Sequence, residues 1–157
     1  MKQAMFAALA LVIASALAGG KMTGVNEQVA VDTAGGKVVV RLAVANHGTH
    51  PVHVPKAIYQ DDELIAPVFD IRDARTGKNI TYIGRKVKRG PITKDDYLQV
   101  KPGATASNSI DITSSYDFLA GEHAYTLAFP GSVINDLAQI DAPRGLPVMP
   151  VSFVFRK

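Results

Sequence analysis

Lys37-Val38-Val39-Val40-Arg41-Leu42-Ala43-Val44-Ala45-Asn46 decides the fold of this 157-residue chain. Val38, Val40, Leu42 and Val44 fall on one side of an extended backbone, where side chains alternate with a period of two. At 3.6 residues per turn the same four would scatter around a helix, so the pattern specifies a half-buried strand. Upstream, Thr33-Ala34-Gly35-Gly36 reads as a turn, because glycine accepts the positive φ of tight connections. Downstream, Asn46-His47-Gly48-Thr49 reads as a second turn.

Further strands lie on either side. Residues 25–32 carry the alternation Val29, Val31, and residues 51–55 place Val52 and Val54 on one side. The prolines at 51 and 55 suit an edge position, where a missing N–H costs no ladder bond. Residues 56–67 are a polar excursion containing Gln60-Asp61-Asp62-Glu63. A strand over 68–73 sets Phe69 and Ile71 opposite Asp70 and Arg72, and Gly77 turns the chain into residues 80–83. Strands follow over 97–100, 104–112, 122–129 and 151–155, the last alternating Val151, Phe153 and Phe155 with Ser152 and Val154. Residues 130–150 form a connection punctuated by Pro and Gly, with a helical turn expected over 133–139. Short strands at regular spacing without a long helical pattern predict an all-β chain, an immunoglobulin-like antiparallel β-sandwich of about 7–8 strands.

The N-terminus reads as a secretory signal peptide over residues 1–18. Lys2 supplies the positive start, an apolar run follows, and Ala16-Leu17-Ala18 offers small residues for cleavage before Gly19-Gly20. The run is shorter than the roughly 20 residues of a membrane-spanning helix. The expected mature product is one β-sandwich domain, residues 19–157, with no stable membrane insertion after cleavage. A chain without Cys that is exported fits a bacterial periplasmic or secreted protein folding without disulfides. It also has no thiol chemistry. A net charge of +3 is small for binding nucleic acid through counterion release, and none is expected as partner. With no Trp in the sequence, a base-stacking platform is poorly supplied.

Little in the chain marks catalysis. No Gly-x-Ser-x-Gly elbow occurs, and a non-enzyme without a cofactor is expected. His47, His50 and His53 invite a metal reading, but residues three apart on a strand point to opposite faces. Asp61, Asp62 and Glu63 lack the spacing of a calcium loop. No catalytic or metal-ligating residue is assigned.

The stretch Tyr82-Ile83-Gly84-Arg85-Lys86-Val87-Lys88-Arg89-Gly90-Pro91-Ile92-Thr93-Lys94-Asp95-Asp96-Tyr97 is too specific for a generic loop. Two readings of its charges stand side by side. In one it projects as a binding loop whose arginines grip carboxylates on a partner. In the other Arg85 and Arg89 pair with Asp95, Asp96 or Asp117 and staple the sandwich. Tyr82 and Tyr97 flank it as anchors or partner contacts. Tyr116, ahead of the strand at 122, sits where sandwich folds place a corner tyrosine bonded to backbone.

Taken together, Tyr82-Ile83-Gly84-Arg85, Lys88-Arg89, Pro91-Ile92-Thr93, Asp96-Tyr97, Pro102-Gly103, Asp111-Ile112-Thr113 and Tyr116-Asp117 resemble the non-catalytic β-domain of deuterolysin-like (aspzincin, peptidyl-Lys type) zinc metallopeptidases. Asn46, Val52, Phe69 and Gly77-Lys78 fit the same pattern, which covers about residues 38–129. The chain departs from the family's enzymes in having no His-Glu-x-x-His, and in having Ala57-Ile58-Tyr59 where a Trp is expected. The resemblance is therefore to the accessory domain without the catalytic one. It implies a binding protein, an inhibitor or folding partner of a secreted zinc metallopeptidase. The residues it points to for partner binding are Tyr82, Gly84, Arg85, Lys86, Lys88, Arg89, Pro91, Asp96 and Tyr97. The alternative is a periplasmic or extracellular adhesion or scaffold module with no protease partner.

Overall fold

The computed structural model describes residues 24–157; the signal sequence expected over residues 1–18 lies outside them. The chain is an all-β antiparallel sandwich. One sheet has the order β1 (Val25–Asp32), β2 (Val39–Asn46), β6 (Thr105–Asp111). The other has the order β10 (Val151–Arg156), β7 (Glu122–Ala128), β4 (Asp70–Asp73). Two smaller pairs complete it: β3 (Val52–Pro55) with β5 (Tyr97–Val100), and β8 (Gly131–Val133) with β9 (Arg144–Leu146).

The 37–46 segment is the middle of its sheet. Val31 pairs with Val40 and Val29 with Leu42 on one side, and Val40 pairs with Ile110 on the other. Val38, Val40, Leu42 and Val44 are all buried, as their alternation required. Facing them are Ile71, Tyr125, Leu127, Phe153 and Phe155 of the second sheet, with Phe118 among the rings. Phe118 stands edge-on to Tyr125 at 5.2 Å and to Phe155 at 5.2 Å. Each such side chain removed from water contributes about 1.5–3 kcal/mol, so this interior supplies the main driving force. The turn before β2 has Gly35 and Gly36 at φ +67° and +71°, where a Cβ would be strained.

Asn46 fastens the end of β2. Its side-chain amide donates to the carbonyls of His50 (2.8 Å) and Val100 (3.0 Å), and its Oδ1 accepts from the Gly48 N–H. Three bonds satisfy an almost fully buried amide, which would otherwise cost stability. Tyr116 does the equivalent across the sandwich: its hydroxyl donates to the Phe69 carbonyl at 2.8 Å and accepts from the Phe69 N–H at 3.0 Å. Burial pushes that hydroxyl's pKa up to about 12. The corner-tyrosine reading of the sequence describes this contact.

Four local expectations need correction. The connection over 130–150 is built into the sandwich: Val133, Ile134 and Leu146 are buried. Only Leu137–Gln139 make a helical turn, because Val133 belongs to β8 and Ile134 is bonded to His53. The excursion over 56–67 is equally anchored, opening with the single helical turn α1 (Lys56–Tyr59) and burying Ile58, Tyr59 and Leu64. β3 is not an open edge, since His53 exchanges two backbone hydrogen bonds with Ile134 (2.8 and 2.9 Å) while β5 pairs on its other side. Residues 80–83 form no strand; Tyr82 makes an isolated bridge to Tyr116.

Candidate functional site

The basic stretch emerges from the sandwich at Tyr82. The Ile83 and Gly84 N–H groups both donate to the Ser115 carbonyl, at 2.8 and 3.1 Å. Tyr82 turns its ring against Tyr116, edge to face at 5.3 Å, and its hydroxyl donates to the Arg85 carbonyl at 2.6 Å. Gly84 packs on that ring so tightly that a Cβ would lie 2.8 Å from its Cζ. Close approach, not a positive φ, demands glycine there.

From Arg85 the chain runs along the excursion that follows α1. Arg85 pairs with Glu63 at 2.9 Å, both side chains more than half exposed, and the Val87 N–H donates to the Ile65 carbonyl at 3.0 Å. Asp96 closes the far end: its Oδ2 accepts from the Thr93 N–H at 2.8 Å, and its own N–H donates to the Thr93 carbonyl at 3.1 Å. Arg89 reaches the other Asp96 oxygen at 2.7 Å. The Thr93 N–H, reinforced by Arg89 and the Thr93 hydroxyl, holds the Asp96 carboxyl below its usual range. Tyr97 is half-buried at the start of β5; burial first, then the nearby Asp96 and Asp141, raises its hydroxyl pKa.

The local-pairing reading of the charges holds in part. Arg85 and Arg89 are local bolts, Arg85 to Glu63 rather than to the aspartates proposed for it, and Arg89 to Asp96. Asp117 instead meets Lys157 at 3.2 Å. Among the described residues Lys86, Lys88 and Lys94 make no ion pair, and all three are exposed. Pro91 is exposed between them. Ile83 (58% exposed), Val87 (43%) and Ile92 (58%) lie on the same stretch, half of the large apolar side chains left exposed among the described residues. The strip thus mixes unpaired cations with uncovered aliphatic groups.

The other candidates separate. His47 and His50 are exposed, with Thr49 Oγ 3.0 Å from His50 Nδ1. His53 is buried in β3 with an unpartnered Nδ1, and His123 donates to the Ala120 carbonyl. Among the described residues no three His, Cys, Asp or Glu side chains gather as a metal site, and no helix is long and apolar enough to cross a membrane. Asp61 and Asp62 stay in solvent, while Glu63 is taken by Arg85.

One pair escaped the sequence reading. Glu27, on the inward side of β1, is buried and accepts a hydrogen bond from the Tyr59 hydroxyl. Its Oε2 has no partner and lies under Gly131, where a Cβ would come within 1.9 Å of it. Burial raises the Glu27 pKa, offset in part by Tyr59; burial and the carboxylate together raise that of Tyr59. The alternation with Val29 and Val31 places Glu27 on the inward face of β1, but its partner is distant in sequence and no local motif names it.

No protein-family model matches the chain, and no curated protein matches it closely enough to count as a relative.

Proposed function

We propose that this chain is an exported, non-enzymatic binding protein that docks on a secreted zinc metallopeptidase of the aspzincin type, as its inhibitor or folding partner. The observation that carries the reading is the strip from Tyr82 to Tyr97: a loop pinned at both ends, presenting Lys86, Lys88 and Lys94 beside Ile83, Val87 and Ile92. Its residues are those that resemble the accessory β-domain of such enzymes. Occlusion is the simplest mode of action, with the loop and the neighbouring excursion over 56–67 covering the partner's cleft. Pinning supports that role, because a pre-ordered loop loses little entropy on docking. The N-terminal Lys2, apolar run and Ala16-Leu17-Ala18 support export to the periplasm or medium.

The test is capture with tagged mature protein from periplasm and culture fluid of the native cell. Bound proteins are identified by mass spectrometry, and peptidase activity is assayed before and after release. A zinc metallopeptidase silent in the complex and active once freed supports inhibition; one whose recovery of activity needs the chain supports folding assistance. Envelope proteins alone, with no peptidase, favour the scaffold reading, for which β10 offers a sheet-edge strand.

A further inference from the structure

Residues 85–93 run without a turn, sharp bend, helix or ladder partner. At about 3.3 Å per residue such a run, fully extended, spans at most on the order of 30 Å. No residue in the run has a positive φ, Gly90 included, and Pro91 holds its own φ near the extended range. Of the backbone donors here, Val87 is bonded to the Ile65 carbonyl and Thr93 to Asp96. The N–H groups of Lys86, Lys88, Arg89, Gly90 and Ile92, and the carbonyls of residues 86–92, bond to nothing in the described protein. Most of the backbone hydrogen-bonding groups of this run are open, while Val87, Arg89 and Thr93 fasten it to the protein.

The side chains sort along it. In an extended run Lys86 and Lys88 share one side and Val87 and Arg89 the other. Arg89 is committed to Asp96, while the Val87 side chain stays 43% exposed. Lys86 and Lys88 are exposed, without an acidic partner among the described residues.

We infer that residues 85–93 are held in the shape of a bound peptide substrate, and that they enter the cleft of an endopeptidase with an acidic specificity pocket, which takes Lys86 or Lys88. This rests on the proposed peptidase partner and specifies how it is engaged. Clefts that bind extended peptides pair with backbone N–H and C=O groups and read alternate side chains in pockets; both are on offer here. The competing occupant, an anionic membrane surface, fits less well. Three unpaired lysines at about 1 kcal/mol each give only weak surface attraction, and a lipid surface supplies no partner for a row of backbone donors. When the partner cleaves slowly, one water adds across one peptide bond of the run, leaving a carboxylate and an amine. The anchors at Val87, Arg89 and Thr93 keep parts of both ends in place.

Trypsin serves as the probe, since its specificity pocket carries an aspartate. The mature protein is titrated into trypsin hydrolysing a small lysine amide, and cleavage of the protein is mapped by mass spectrometry. Competitive inhibition is expected, with the first nick confined to residues 86–89. The folded protein should compete at least tenfold better than a synthetic peptide of residues 83–95. The double substitution Lys86→Gln, Lys88→Gln should lose that competition while its urea midpoint stays unchanged. A folded protein that neither competes nor is nicked in this run, while the peptide is cut, overturns the inference. So does lysine-dependent binding to phosphatidylglycerol vesicles without trypsin competition, which gives the strip to a membrane. If trypsin is engaged but capture recovers no metallopeptidase, the substrate-like strand stands and the proposed partner falls. If a metallopeptidase is recovered and trypsin is not engaged, the partner stands and the strand mode is overturned.

Discussion

Gly84 lies against the ring of Tyr82 with no room for a Cβ, which would come 2.8 Å from both Cζ and the hydroxyl. The ring cannot yield freely: Tyr116 stands across it at 5.3 Å, and its hydroxyl is engaged by the Arg85 carbonyl at 2.6 Å. Gly84→Ala should therefore act by overpacking, costing about 1–3 kcal/mol, and should break the Tyr82–Arg85 clasp. Tyr82→Phe removes the clasp alone and should cost about 1 kcal/mol. Urea denaturation of both variants measures the difference. If Gly84→Ala is as stable as the parent protein, the contact does not constrain the loop.

Tyr116→Phe tests the other tyrosine. It leaves the buried Phe69 N–H and carbonyl without the hydroxyl that serves both, at about 1–3 kcal/mol for each group left unpaired. A fall of about 2–4 kcal/mol in unfolding free energy with an unchanged denaturant slope is expected. A loss below about 0.5 kcal/mol would mean that water replaces the hydroxyl without penalty.

How much of this was legible in sequence depends on distance along the chain. Val38, Val40, Leu42 and Val44 declared themselves because alternation is local, and Tyr116 because its position before β7 is. β8 and β9 are three residues each, too short to alternate. Ile58, Tyr59 and Leu64 were hidden by the acidic run between them. The ends of the basic strip are fixed by Ser115 and Ile65, partners that no spacing rule names. For the same reason the sequence offered Arg85 three aspartates and missed Glu63. Glu27 is a further case: alternation with Val29 and Val31 sets it on the inward face of β1, but no spacing rule names its distant partner Tyr59.

Glu27 should give the protein a stability that falls as pH rises above about 4.5. Its folded pKa is raised from 4.5, so the folded state holds its proton more tightly than the unfolded chain. The stabilisation is fully present below about pH 4.5 and is lost as pH rises through the folded pKa. Asp73, Asp96 and Asp111 act oppositely. Hydrogen bonds, chiefly from Thr76, the Thr93 N–H and Thr113 in turn, lower their pKa values from 3.8. Their contribution is present above about pH 4 and disappears only as pH falls through those lowered values. The two windows do not overlap, so a stability maximum is expected on the acidic side of neutral. Glu27→Gln should flatten the decline above it and leave the acid limb unchanged. Unfolding curves from pH 3 to pH 8 decide this; an unaltered decline in Glu27→Gln would assign the effect to another group.

Charge reversal along the strip separates bolts from contacts. Arg85→Glu faces Glu63, and Arg89→Glu faces Asp96, so each replaces an ion pair with a repulsion. Arg85–Glu63 is more than half exposed and Arg89–Asp96 partly so, and each reversal should cost about 1 kcal/mol of stability, the second more than the first. Lys86→Glu, Lys88→Glu and Lys94→Glu break no ion pair among the described residues and should leave the unfolding midpoint within about 0.5 kcal/mol of the parent. Partner binding should respond in the opposite order. The lysine triple should lose at least a hundredfold in affinity for the captured partner, because each unpaired cation there is free to meet an acidic group. The Arg85, Arg89 double should lose less, and mainly through loosening of the loop. Calorimetric titration of both variants against that partner gives the comparison. If the arginine pair dominates while the lysine triple binds normally, Lys86, Lys88 and Lys94 are a solvated face and the arginines leave their local carboxylates to make the contact.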